Sequence, residues 1–326
     1  MLRDRHITAF LHTKGSTILI TFLACVSCAI AWEKGAVAHI DGNLGLGLPS
    51  ANMWLDFNWV SAVVNLSANV FAALLTVYIN RAFNVLRSLT ALVATMFMAM
   101  QIASPTTLGQ FYGGTLLLLV ILFCTMLLFS EFGNENGQRR VFLVFVLAGA
   151  CAFTQTGYLF YIPVLLLGCM QMRIFTLRTC LAALLGMITP AWILFGSGLV
   201  RPENLQWPEM VVAWSVFDTR EAVQAFATTG FTILVGVCFT IANILKILSY
   251  NSRVRAYNGF LTTAFIATAA FTLLDFNNFT FYIPLLNCLA AYQVGHFFTY
   301  RRHRRSYIAI VLLIGCYAGL YAWAVA

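Results

Sequence analysis

Charge is what this chain has least of. Lys, Arg, Asp and Glu make up 9% of its 326 residues, against about 25% in soluble domains. With 61% hydrophobic residues and a mean hydropathy of +0.84, the composition excludes a soluble enzyme and places the chain in the membrane class. Metal-ligand spacing is also missing: none of His6, His12, His39, His296 and His303 pairs with another His or Cys as a metal site requires. The nine cysteines fall inside apolar runs and read as small buried hydrophobes rather than a disulfide framework. Cys25 and Cys28 have redox spacing but lie within a span. Gly42, Gly45 and Gly47 are not followed by Gly-Lys-Ser/Thr, so no phosphate loop is expected there. No charge is secure in the middle of any span, and ion-coupled transporters usually need one.

The cations that are present give a net charge of +8. They sit in small clusters between apolar segments, as cytoplasmic loops facing anionic lipid do. Membrane lipids are therefore the expected partners, and nucleic acid is not. Arg301-Arg302-His303-Arg304-Arg305 reads as a headgroup anchor.

One stretch sets the topology. From Val141 to Met172 the chain carries no charge for 32 residues, a helix of about 48 Å if straight, against a hydrocarbon core of about 30 Å. Folded as a hairpin at Thr154-Gln155-Thr156-Gly157 it becomes two short spans, with Arg139-Arg140 and Arg173/Arg178 on one face. Eleven spans follow by the same reasoning, with a range of ten to twelve: about 16–32, 59–79, 88–103, 111–130, 141–154, 158–172, 179–198, 227–248, 257–274, 279–298 and 306–325. The first also has the form of a cleavable signal peptide, but the reading adopted keeps it.

With a cytoplasmic N-terminal segment at 1–15, 16 of the 19 cations fall inside, and only Lys34, Arg201 and Arg220 fall outside. Eight of the eleven acids lie on the outer face. The expected fold is an all-α polytopic bundle forming one membrane domain over 1–326. It sits in the cytoplasmic (inner) membrane, with the C-terminus periplasmic or extracellular. The outer loops 33–58 and 199–226 are expected to carry interfacial helices, from Trp54, Phe57 and Trp59 in one and from Glu209–Phe217 with Trp207 and Trp214 in the other. Asp218 and Glu221 have capping-box spacing for the next helix.

A faint internal similarity joins hairpins 139–178 and 253–305. Phe142-Leu143 and Ala152-Phe153-Thr154 recur as Phe260-Leu261 and Ala270-Phe271-Thr272, and Phe160-Tyr161-Ile162-Pro163 as Phe281-Tyr282-Ile283-Pro284. Short apolar matches also arise by chance, so both origins stay open.

Leu159–Pro163, Arg173–Arg178 and Gly186-Met187-Ile188-Thr189-Pro190, with Asn84–Arg87 and Ser104-Pro105, resemble an uncharacterised family of bacterial multi-span membrane proteins, a domain of unknown function. The resemblance covers roughly residues 80–195. It implies an inner-membrane protein with about this many spans and brings no reaction and no functional residue.

In outline the chain is also similar to membrane glycosyltransferases that use polyprenyl-phosphate sugars. On that reading Glu33, Asp41 or Asp56 serves as base or metal ligand, Asp275 joins them, and Arg201 or Arg220 holds the phosphate. A divalent cation would be a cofactor only in that case; otherwise none is expected. His39 with Asp41 could form a base and its orienter, though a hydrated turn gives the same pattern. Two other functions compete: a non-enzymatic scaffold for another envelope protein, and a permease with a midplane cavity around Asn65, Asn69 and Gln155. The bland readings are solvated loop acids and, for Asn65 and Asn69 on one helix face, hydrogen bonds between helices.

Overall fold

The computed structural model describes residues 13–42, 45–88, 90–134, 136–201, 203, 205, 219–247, 249–300 and 304–326. The expected interfacial helix at Glu209–Phe217, the cap at Asp218 and the cations Arg301 and Arg302 lie outside the described residues.

Among the described residues the chain forms twelve α-helices: α1 Lys14–Glu33, α2 Trp59–Phe83, α3 Leu92–Ile102, α4 Pro105–Leu108, α5 Gly113–Ser130, α6 Gln138–Ala152, α7 Tyr161–Gln171, α8 Leu177–Gly196, α9 Arg220–Ile247, α10 Ser252–Leu274, α11 Phe279–Tyr300 and α12 Arg304–Val325. Polar side chains punctuate them where the apolar runs stop. Asn58 caps α2 by accepting from the Ser61 amide at 3.1 Å, Asn251 caps α10 by accepting from the Val254 amide at 3.1 Å, and Thr176 and Thr179 form a reciprocal box at the start of α8. At the end of α1, Gly35 takes a left-handed φ of 69° while Ala36 donates back to the Ala31 carbonyl, a turn that glycine alone enters without strain.

Seven helices, α1, α2, α5, α8, α9, α10 and the 308–325 part of α12, are long and apolar enough to cross a membrane. Their outer faces carry exposed Leu, Ile, Val and Trp, such as Leu185, Ile188 and Trp192 on α8. A water-facing surface of that kind would not be stable, so the chain is membrane-embedded. The shorter α3 is buried from Leu92 to Gln101.

The core is organised around α11, which packs against α3, α5, α9 and α10. Because protein surrounds it, it tolerates Asn287, Gln293 and His296, all buried. A chain of buried hydrogen bonds fixes its register. Thr115 donates to Asn65 Oδ1 (2.5 Å), Asn69 to the same oxygen (3.3 Å), Gln101 to Asn69 Oδ1 (2.7 Å) and Asn287 to Gln101 Oε1 (3.0 Å), tying α2, α3, α5 and α11 together. Asn65 also donates to the Thr107 and Leu108 carbonyls that close α4.

The tightest helix pair is α6 with α8. A Cβ on Gly186 would lie 2.7 Å from the Phe142 carbonyl oxygen and 2.9 Å from Phe145 Cβ, so only glycine permits this crossing.

The connections gather at two ends of the bundle. At one end the α2–α3 loop meets α10 (Asn258 to the Val85 carbonyl, 3.0 Å), the α5–α6 loop meets the α7–α8 turn (Gly133 amide to the Met172 carbonyl, 3.0 Å), and Arg87 lies 5.1 Å from the Tyr250 ring. There the buried Glu131 carboxylate pairs with Arg140 at 2.9 Å. The other end holds the α1–α2, α3–α5, α6–α7 and α10–α11 connections and the start of α9.

One sequence expectation changes in detail. The described part of the first long loop holds one 3-10 turn, Ala51–Met53, rather than an interfacial α-helix. Its backbone is engaged elsewhere: the Leu48 amide donates to the Phe153 carbonyl at 3.1 Å and Gly45 sits against Thr154. The helix start expected from the Asp218 and Glu221 spacing is present: α9 begins at Arg220 and leads into the eighth apolar run.

The predicted break at Thr154–Gly157 is present, as a turn and a 3-10 segment over Thr156–Phe160. The matching stretch turns through a 3-10 segment at Phe276–Asn278. The two elbows pack together, Phe160 on Phe271 at 5.5 Å and Tyr161 on Tyr282 at 6.5 Å between ring centroids.

Candidate functional site

The second end of the bundle encloses a cavity of about 350 Å³. It is built from five stretches far apart in sequence. The first loop supplies His39, Asp41, Ser50 and Asn52, the approach to α5 supplies Thr106 and Tyr112, and the first elbow supplies Gln155. The start of α9 brings Thr219 and Glu221, and the second elbow Asn277 to Phe281.

Asn52 is the clamp that holds the loop in place. Its amide nitrogen donates to the Asp41 carbonyl at 2.8 Å, and its Oδ1 accepts from the Gly113 amide at 2.8 Å. Tyr112 braces the opposite wall by donating to the Thr280 carbonyl at 3.1 Å. His39 Nδ1 lies 3.3 Å from Gln110 Oε1, and its ring centroid is 5.0 Å from that of Phe57. Its Nε2 is 3.7 Å from Asp41 Oδ1, an ion-pair separation too long for a hydrogen bond. The Asp41 side chain is 93% exposed, free to meet a ligand at the cavity mouth.

The cavity floor is unusual in its hydrogen bonding. Ser50 Oγ and Thr106 Oγ1, on residues 2% and 6% exposed, and Gln155 Oε1 are buried and accept or donate no hydrogen bond within the protein. An unmet polar group of this kind costs about 1–3 kcal/mol, and three around one cavity ask for water or a polar ligand to satisfy them. The α9 and α11 N-termini open on the same space and add their partial positive charge.

A second cavity of about 130 Å³ adjoins the first and shares Thr106 and Glu221 with it. Lys34 and Arg220 line it, and Ala324 to Ala326 close its far wall. Arg220 also donates to the Trp323 carbonyl at 3.2 Å. Gln224 donates to the Ala103 carbonyl at 2.9 Å and to the Leu320 carbonyl at 3.1 Å, fixing α9 against α12.

The residues singled out from the sequence are therefore dispersed. Asp41 lines the larger cavity and Arg220 the smaller one. Glu33, at the end of α1, and Asp56 and Arg201 are exposed and line neither. Asp275 is half-buried and accepts from Asn278 at 2.9 Å and from the Tyr282 hydroxyl at 2.8 Å, so it holds the second elbow. Asn65 and Asn69, the midplane pair of the permease reading, are fully buried and engaged in the hydrogen bonds described above.

Ser50, Thr106 and Lys34 were not singled out. No sequence signal marks the first two, whereas Lys34 and Arg220 are two of the three cations that break the positive-inside pattern, and that exception is a usable signal. Among the described residues no three His, Cys, Asp or Glu side chains group closely enough to hold a metal ion. Comparison of the chain with protein-family models, with curated proteins and with solved structures gives no match.

Proposed function

We propose that the chain is an eleven-span inner-membrane protein with its N-terminus in the cytoplasm, and that its outward-facing cavity transfers a sugar or similar group from a polyprenyl-phosphate carrier during envelope biogenesis. Eleven crossings are supported by the gathering of alternate connections at opposite ends of the bundle. The orientation is supported by the cation count, because the end without the cavity receives Arg81, Arg87, Arg139, Arg140, Arg173 and Arg178. The resemblance of residues 80–195 adds the bacterial inner membrane as location.

The observation that carries the transfer reading is the larger cavity: a carboxylate at its mouth over three polar atoms with nothing to bond. Hydroxyl groups of a sugar both donate and accept, which is what Ser50, Thr106 and Gln155 need. Asp41, with His39 beside it, takes the proton of the acceptor hydroxyl. The acceptor oxygen then bonds to the sugar carbon, and the carbon–oxygen bond to phosphate breaks with its electron pair on the departing phosphate.

Envelope-glycan and glycoprotein profiling of a deletion strain tests this. Complementation with Asp41→Ala should leave the transferred group missing, while Glu33→Ala, outside both cavities, should restore it. A normal profile in the deletion strain, or full rescue by Asp41→Ala, removes the transferase reading and leaves the scaffold.

A further inference from the structure

We propose that the smaller cavity is a phosphate subsite, in which Lys34, Arg220, Thr106 and the α9 N-terminus hold the anionic group of a phosphate ester. This rests on the transfer reading for its place in a reaction, but not for its chemistry.

Four observations converge on it. Two cationic residues, Lys34 and Arg220, line a space of about 130 Å³. Helix α9 begins at Arg220 and runs unbroken to Ile247, so its macrodipole favours an anion at that point. Thr106 Oγ1 is an unpartnered hydroxyl on a residue 6% exposed, placed in the wall between the two cavities, where it can donate to a phosphate oxygen. Finally, the side-chain charges sort the two lobes. Asp41 and Glu221 line the larger cavity without a Lys or Arg, while Lys34 and Arg220 line the smaller one together with Glu221 and Ala326.

The division has a chemical consequence. With the phosphate beside Lys34 and Arg220 and the transferred group over Ser50 and Gln155, the bond between them lies at the shared wall, next to Thr106 and Glu221. The negative charge that develops on the leaving phosphate then forms where the cations already are.

The test titrates the purified full chain in neutral detergent with a short-chain prenyl phosphate, the corresponding prenyl alcohol and inorganic phosphate. The prenyl phosphate should bind and the alcohol should not. Lys34→Ala and Arg220→Ala should each weaken binding about tenfold or more, as loss of a charge-assisted hydrogen bond does. Thr106→Val should weaken it severalfold, and Asp41→Asn should not weaken it.

Because Arg220 also touches α12, Lys34→Ala, in the exposed turn after α1, carries the decision if Arg220→Ala misfolds. Competition by inorganic phosphate at equal concentration supports a subsite for the free anion; binding of the prenyl ester alone supports a lipid headgroup. Equal binding of the alcohol, no binding of either phosphate, or a folded Lys34→Ala protein with parental affinity overturns the subsite. A subsite that survives in a protein whose deletion leaves the glycan profile normal refutes the transfer reading instead.

Discussion

At the scale of single residues, Asn65 has the most to lose. Its amide serves two carbonyls of α4 and its oxygen receives Thr115 and Asn69, so Asn65→Leu strips four hydrogen bonds at once. At about 0.6 kcal/mol for an average interhelical hydrogen bond in a membrane protein, the loss is about 2 kcal/mol. It should appear as a lower midpoint of unfolding in mixed detergent micelles, while Ser67→Leu, on an exposed turn of the same helix, should not move it.

Asp41→Ala is the opposite case. Its carboxylate is 93% exposed and its contribution to the fold is negligible, so the variant should unfold with the parent and fail only in function. The sequence places Asn65 and Asn69 on one helix face, and that much is legible from their spacing. Their partners are not: Thr115 meets Asn65, Gln101 meets Asn69 and Asn287 meets Gln101 in turn, through the packing of three other helices, and no local pattern encodes which faces will touch.

At the scale of elements, the α6–α8 crossing is the most exacting. Gly186→Leu should force the pair apart at about 1–3 kcal/mol, read as loss of thermal stability in detergent. Gly196→Ala, with open space around it, should be tolerated.

Both elbows were partly visible in the sequence. The hairpin at Thr154–Gly157 follows from the length of the uncharged run, and the turn at Asp275–Asn278 from its residues. A 3-10 turn stands near Trp54 in place of the expected helix, because rings mixed with polar neighbours signal the depth of a segment in the bilayer, not its backbone. Here Gly45 and Leu48 form a cover over the first elbow, and the loop's hydrogen bonds go to that neighbour instead of along a helix. Helix α9 starts before its hydrophobic run, as the capping-box spacing of Asp218 and Glu221 predicts, and Thr219 accepts from the Ala222 amide at 3.3 Å there.

At the scale of the molecule, lipid on the outside and α11 on the inside explain why the chain can be so poor in charge. Only the two ends of the bundle meet water, and Asn65, Asn69, Gln101, Thr115 and Asn287 bond one another between α11 and its neighbours. Every proposed role of the Asp41 carboxylate requires its cavity to open on the outer surface. The sequence supports this face through its cations, while the cavity itself joins five stretches that only the folded chain brings together.

The most direct measurement is labelling of Asp41→Cys with a membrane-impermeant thiol reagent, in a background where the exposed Cys25, Cys238 and Cys316 are changed to Ser. The account predicts modification in intact spheroplasts, whose outer barrier is removed and whose cytoplasmic membrane is sealed. Modification that occurs only after that membrane is broken would put Asp41 in the cytoplasm and contradict it.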